Sequence, residues 1–145
     1  MKICAILLLA VLFPVGAYAD EKSKPLEGSW AVAQFERGGN PPPQELLKDF
    51  KVEIKDSTLR MFDSRSGEGG SFTLDDSKTP NEIDLVFKEG PKEDVERTAK
   101  GIYELDGDTL KLAWRKDGGP RPKEFSSLKG ERTSELLILK RKPKE

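Results

Sequence analysis

No histidine occurs anywhere in this 145-residue chain, and its single cysteine is Cys4. The first absence removes Ser-His-Asp and Cys-His nucleophilic catalysis, His-ligated zinc and the commonest acid-base side chain. The second removes thiolate chemistry and iron–sulfur ligation from the body of the chain and leaves no partner for a disulfide. Long apolar runs are scarce as well. Ile3 to Phe13 is eleven residues, too short for a bilayer, which needs roughly 20. The Gly-rich stretch from Arg65 to Gly70 lacks both the Gly-Lys-Ser/Thr ending and the strand-loop-helix setting of a phosphate loop, so it reads as a hairpin loop. Paired carboxylates could still hydrolyse a glycoside. The Asp and Glu residues, however, fall at turns and outward strand positions, where solvation accounts for them. The expectation is a protein that is not an enzyme, with no cofactor and no metal site.

What is present starts with a leader. Lys2 supplies a positive start, Ile3 to Phe13 an apolar run, and Ala17-Tyr18-Ala19 the small-x-small pattern read by signal peptidase. Residues 1–19 are expected to be a signal peptide cleaved before Asp20. The protein is then secreted or periplasmic, with no transmembrane anchor left after cleavage. Residues 20–25 read as a polar linker, 26–141 as one domain and 142–145 as a polar tail. The mature chain would carry 24 basic and 26 acidic residues, a net charge of −2. These are unevenly placed: residues 20–110 hold 13 basic and 21 acidic side chains, residues 111–145 hold 11 and 5. A basic C-terminal portion can attract an anionic partner, but here the cations interleave with apolar strand residues and do not form a block.

Through residues 26–141 apolar residues recur with period two in short bursts, separated by Gly, Pro and Asp clusters, which is an all-β signature. Eight strands are predicted, at about 27–36, 50–55, 58–63, 69–75, 82–88, 98–105, 108–115 and 133–141. One short helix is predicted over Pro43 to Asp49, between strands 1 and 2, with Pro at its first position. The hairpin registers are consistent with one buried face. With Asp56-Ser57 as a two-residue turn, Ile54 faces Leu59 and Val52 faces Met61. Leu74 opposite Ile83 brings Phe72 to Leu85. With Asp106-Gly107 as a type I′ turn, Tyr103 faces Leu110 and Gly101 faces Leu112. Large apolar residues then share one side of each pair, which fixes register.

Asp106-Gly107-Asp108 also raises the question of a calcium loop. Such a loop needs oxygen ligands at alternate positions over twelve residues and a final bidentate Glu. The continuation Thr-Leu-Lys-Leu-Ala-Trp offers almost none and alternates like a strand, whereas Asp-Gly between apolar runs is a strong hairpin signal. The motif reads as a turn. Sequential hairpins without long crossovers favour an antiparallel, eight-stranded up-and-down barrel over a sandwich, since closure removes exposed edges.

Leu26-Glu27-Gly28-x-Trp30 resembles the Gly-x-Trp opening of lipocalin-like barrels. Together with Ile83-Asp84-Leu85-x-Phe87, Gly101-Ile102-Tyr103-Glu104-Leu105-x-Gly107-Asp108-x-Leu110 and Arg121-Pro122-Lys123-Glu124-Phe125, it resembles a family of small secreted lipocalin-like domains of unknown function, abundant in planctomycete-type bacteria. The resemblance spans nearly the whole mature chain. It implies a lipocalin-like barrel and brings no catalytic residues. The family pattern often has a cysteine where this chain has Ala113, so any role of that thiol is absent.

Two groups of candidate site residues emerge. Trp30, Tyr103 and Trp114 fall on inward positions and could line a pocket for a small apolar or amphipathic ligand in the barrel mouth. Small eight-stranded barrels can equally be filled by their own side chains, so pocket and packed core both stand at this point. Arg115, Lys116, Arg121 and Lys123, in the basic segment 115–125, could hold an anionic or protein partner in the cell envelope through charge-assisted hydrogen bonds. The alternative there is a solvated connection anchored by Phe125. Nucleic acid is not expected as a partner, because aromatic residues do not interleave with this charge to form a stacking platform.

Overall fold

Tight turns set the order of the strands. Asp56 and Ser57 both take positive φ (50° and 58°), the sign pattern of a type I′ turn, and Lys55 pairs with Thr58 around them. A computed structural model describes residues 21–89 and 97–144. The strands are β1 (Gly28–Arg37), β2 (Lys51–Lys55), β3 (Thr58–Phe62), β4 (Gly67–Asp75), β5 (Asn81–Glu89), β6 (Arg97–Asp106), β7 (Thr109–Arg115) and β8 (Ser134–Arg141), with one helix, α1 (Gln44–Lys48), between β1 and β2. Each strand pairs antiparallel with the next, and β8 returns to β1, closing the barrel. The predicted fold class therefore holds. The expected signal peptide at residues 1–19 lies outside the described residues.

Two of the expected registers are observed. Ile54 pairs with Leu59 and Val52 with Met61; Leu74 pairs with Ile83 and Phe72 with Leu85. The β6–β7 hairpin differs by two residues. Asp106 pairs with Thr109, so Tyr103 faces Leu112 and Gly101 faces Trp114. Gly107 has φ 57° and Asp108 has no positive φ. That places Gly first in the turn, as in type II′, rather than second as in the expected I′. An even shift leaves the same side chains facing inward.

Those inward side chains make the core. Trp30, Val52, Leu59, Leu85, Leu110, Leu112, Trp114, Leu137 and Leu139 are fully buried, each contributing about 1.5–3 kcal/mol through burial. Gly70 is required at the β4 bulge, because a Cβ there would sit 1.9 Å from the Val86 carbonyl oxygen.

One end of the barrel is closed. The segment expected to be a linker folds instead as a 3-10 turn, Glu21–Leu26, with Ser23 and Leu26 buried. Apolar Leu26 supplies the reason, since it covers the end of the core. Trp30 Nε1 donates to the Leu26 carbonyl (2.9 Å). Arg141 lies 4.3 Å over the Trp30 ring and donates to the carbonyls of Glu27 (2.6 Å) and Pro25 (2.7 Å). The plug is thus tied to both terminal strands. At the opposite end stand α1, the start of β4 and the long β7–β8 connection. Pro43 is the N-cap of α1, one position earlier than expected.

The β7–β8 connection, residues 116–133, folds back over the outside of the sheet. Arg121 donates to the carbonyls of Ile83 (3.1 Å) and Gly101 (2.7 Å) and to Asp84 (2.7 Å). Phe125 packs on Ile102, Ala113 and Leu136, a second apolar cluster on the outer face. This cover explains why β8 is apolar on both faces.

Candidate functional site

Period-two alternation does not stop where the apolar residues end. Along β7 the inward series Leu110, Leu112, Trp114 continues to Lys116 just past the strand. Along β6 it runs from Tyr103 through Gly101 and Ala99 to Arg97; along β8 from Leu139 and Leu137 to Glu135; along β4 from Phe72 and Gly70 to Glu68. The last inward layer at the open end is therefore ionic.

Its members are paired. Arg37, Glu135 and Trp114 are register neighbours across β1, β8 and β7. The Glu135 side chain is 2% exposed. Its Oε1 accepts from Arg37 Nε (2.8 Å) and its Oε2 from Trp114 Nε1 (2.7 Å), with Lys116 Nζ 3.1 Å away. Lys116, 10% exposed, also donates to Glu68 Oε1. Arg97 reaches Glu68 Oε2 at 3.3 Å. Both cations lie over the Phe87 ring, Lys116 Nζ at 4.9 Å and the Arg97 guanidinium at 5.7 Å. Buried charge is tolerable only when paired in this way.

Above this layer opens a hollow of about 660 Å³. Its walls differ. Strands β1 to β3 and the residue preceding β2 supply Phe35, Phe50 and Met61, with Phe35 stacked on Phe50 at 6.0 Å. Strands β4, β6 and β8, with Lys116 and with Arg37 at the end of β1, supply the ionic side. Asp63 lies on the rim, where backbone N–H bonds from Arg65 and Ser66 hold its carboxyl below the usual range. Among the described residues no group of three or more carboxylates is placed to hold a metal ion.

The sequence-predicted residues are distributed differently from expectation. Trp30 and Trp114 are completely buried and Tyr103 is 6% exposed. Trp114 packs edge-on against Phe87. All three belong to the core below the mouth, and none lines the mouth hollow. Pocket and packed core thus coexist in one barrel, the core filling the interior and the hollow lying at its open end.

The basic segment is also split. Lys116 points inward as described. Arg115 pairs with Asp117 (2.9 Å) and Glu131 (2.5 Å). Arg121 is spent on the outer sheet. Lys123 alone of the four is exposed and makes no ion pair among the described residues. Sequence reasoning missed Arg37, Glu68, Arg97, Arg132 and Glu135 as mouth residues. The available signal was the alternation itself, continued past the last apolar position of each strand.

No family model matches the sequence, and no curated protein matches it. Among solved structures, the chain has a weak likeness to a DUF4847 family protein from Bacteroides vulgatus. The two share 13% identity, with 82% of this chain and 95% of that chain covered, at a TM-score of 0.46.

Proposed function

We propose that this protein is an exported, non-catalytic binding barrel of the small secreted type that its sequence resembles, and that it takes a small amphipathic ligand at the open end. One observation carries the reading: the interior is packed up to an ionic layer, and above that layer is a two-sided hollow of about 660 Å³. Small-molecule sites typically occupy ~300–1,000 Å³ and combine apolar walls with a few fixed polar groups. Phe35, Phe50 and Met61 supply the apolar wall, and the paired ions supply the fixed polar groups. The packed core limits how far a ligand enters, so the site is a dish and not a deep calyx.

Titration with the neutral fluorophore N-phenyl-1-naphthylamine tests this. Saturable binding is expected, weakened at least about tenfold by Phe50→Asp with the thermal transition preserved. Absence of saturable binding in the unmodified protein would refute the reading. An envelope partner engaging segment 115–125 is the weaker alternative, because Arg115, Lys116 and Arg121 already have internal partners.

A further inference from the structure

We infer that the mouth selects ligands with a carboxylate head, an inference that rests on the binding reading above. The ground is an inventory of donors and acceptors around the hollow. Every carboxylate there is engaged. Glu135 accepts from Arg37, Trp114 and Lys116. Glu68 accepts from Lys116 through one oxygen and from Arg97 through the other. Asp63, out on the rim, accepts two backbone N–H groups, both through Oδ1.

Donors are left over. Arg97 Nε is buried and has no hydrogen-bond partner among the described residues. A buried donor without an acceptor is costly, and Arg carries five N–H groups in a fixed fork. Arg132 also borders the hollow and makes no ion pair among the described residues. Four cations, Arg37, Arg97, Lys116 and Arg132, face three carboxylates, a surplus of one positive charge. A single surplus charge suits a monoanion better than a dianion such as a phosphate monoester. The planar guanidinium fork matches a carboxylate in two parallel hydrogen bonds.

The two walls set the orientation. An apolar chain would lie against Phe35 and Phe50, and the carboxylate head would cross toward β6, where it accepts from the Arg97 guanidinium. Arg97 is positioned for this by its contact with Glu68 and by the Phe87 ring beneath it.

Displacement of N-phenyl-1-naphthylamine from the mature chain tests the inference, using decanoate, decanol, decyltrimethylammonium and decyl phosphate below their micellar concentrations. Decanoate should displace the probe at a concentration at least about tenfold lower than decanol. Decyltrimethylammonium should be the poorest competitor. Arg97→Gln should reduce the decanoate advantage over decanol to about twofold or less, each displacement being referred to the variant's own measured probe affinity. Arg132→Gln, at an exposed position without an ion pair, should reduce it partially and serves if Arg97→Gln fails to fold. Equal displacement by decanoate and decanol would overturn the head-group inference and leave the barrel reading standing. Stronger displacement by decyl phosphate would overturn the choice of carboxylate. No probe binding at all would remove both readings.

Discussion

Glu135 is the point at which the ionic layer meets the packed core, and its removal should be among the most damaging single changes in the chain. Glu135→Ala leaves three donors without their acceptor. Arg37 is 52% exposed and can turn to water at little cost. Lys116 is 10% exposed but keeps Glu68. Trp114 Nε1 is in a fully buried residue and has nowhere to turn. An orphaned buried donor costs about 1–3 kcal/mol, and breaking a buried ion pair from one side costs about 3–5 kcal/mol. A total on the order of 3–5 kcal/mol is expected for Glu135→Ala, a large part of the ~5–15 kcal/mol that holds a typical domain together. Glu135→Gln should cost clearly less, because its amide oxygen can still accept from Trp114. Urea unfolding followed by tryptophan fluorescence measures both. The slope with denaturant should stay constant, so that midpoint shifts report stability. A loss under about 1 kcal/mol for Glu135→Ala, or equal losses for Ala and Gln, would refute the account of this layer as an obligatory network.

Other consequences follow from the turns and the long connection. Gly107 has φ 57° with open space where a Cβ would be, so Gly107→Val should cost about 1–3 kcal/mol through backbone strain alone, and Gly107→Asn much less. The thermal transition of the unmodified protein should not move on adding calcium, and a large rise would show the Asp106-Gly107-Asp108 turn to be a calcium site. Asp117 ties both ends of the 116–133 connection together. Its carboxyl is lowered from 3.8 to about 2, first by the Gly119 N–H, then by the Thr133 hydroxyl and Arg115. A depressed folded pKa means stability that is fully present above the unfolded value and lost as pH falls through the folded one. The loss should therefore run between about pH 4 and pH 2. With that carboxylate 35% exposed, screening reduces its worth to ~1 kcal/mol. Thermal melts across this range should show a shallower decline for Asp117→Asn, and parallel declines would contradict the assignment.

The parts of this molecule that were legible in its sequence are those governed by alternation. All eight strands, the closed order and two of three hairpin registers follow from one-face burial and turn chemistry. The third register slipped because Asp-Gly can place glycine at either central position of a turn, and only its backbone angles decide. Burial of Trp30 and Trp114 also follows from alternation. Whether they faced a pocket or each other's neighbours did not, since inward aromatic residues serve both. The expected linker was misread because its composition is polar, although it is seated by buried Ser23, by Leu26 directly after it and by Arg141 at the Pro25 and Glu27 carbonyls.

The mouth was missed for a more general reason. Charged residues at strand ends are ordinarily solvated, so Arg97, Lys116 and Glu135 read as the places where burial stops. In a closed barrel, inward positions at the rim still point into a confined space. There, cations and carboxylates contributed by five different strands or their flanks meet only because the sheet closes on itself. Their pairing depends on the staggered register of β1, β8 and β7, which puts Arg37 beside Glu135 and Glu135 beside Trp114. No local pattern encodes that adjacency. The surplus donor at Arg97 is likewise visible only once the bonds of Glu68 and Glu135 have been traced to their partners. The chemistry of the candidate site is thus a property of closure, built on strands whose sequence announces them individually.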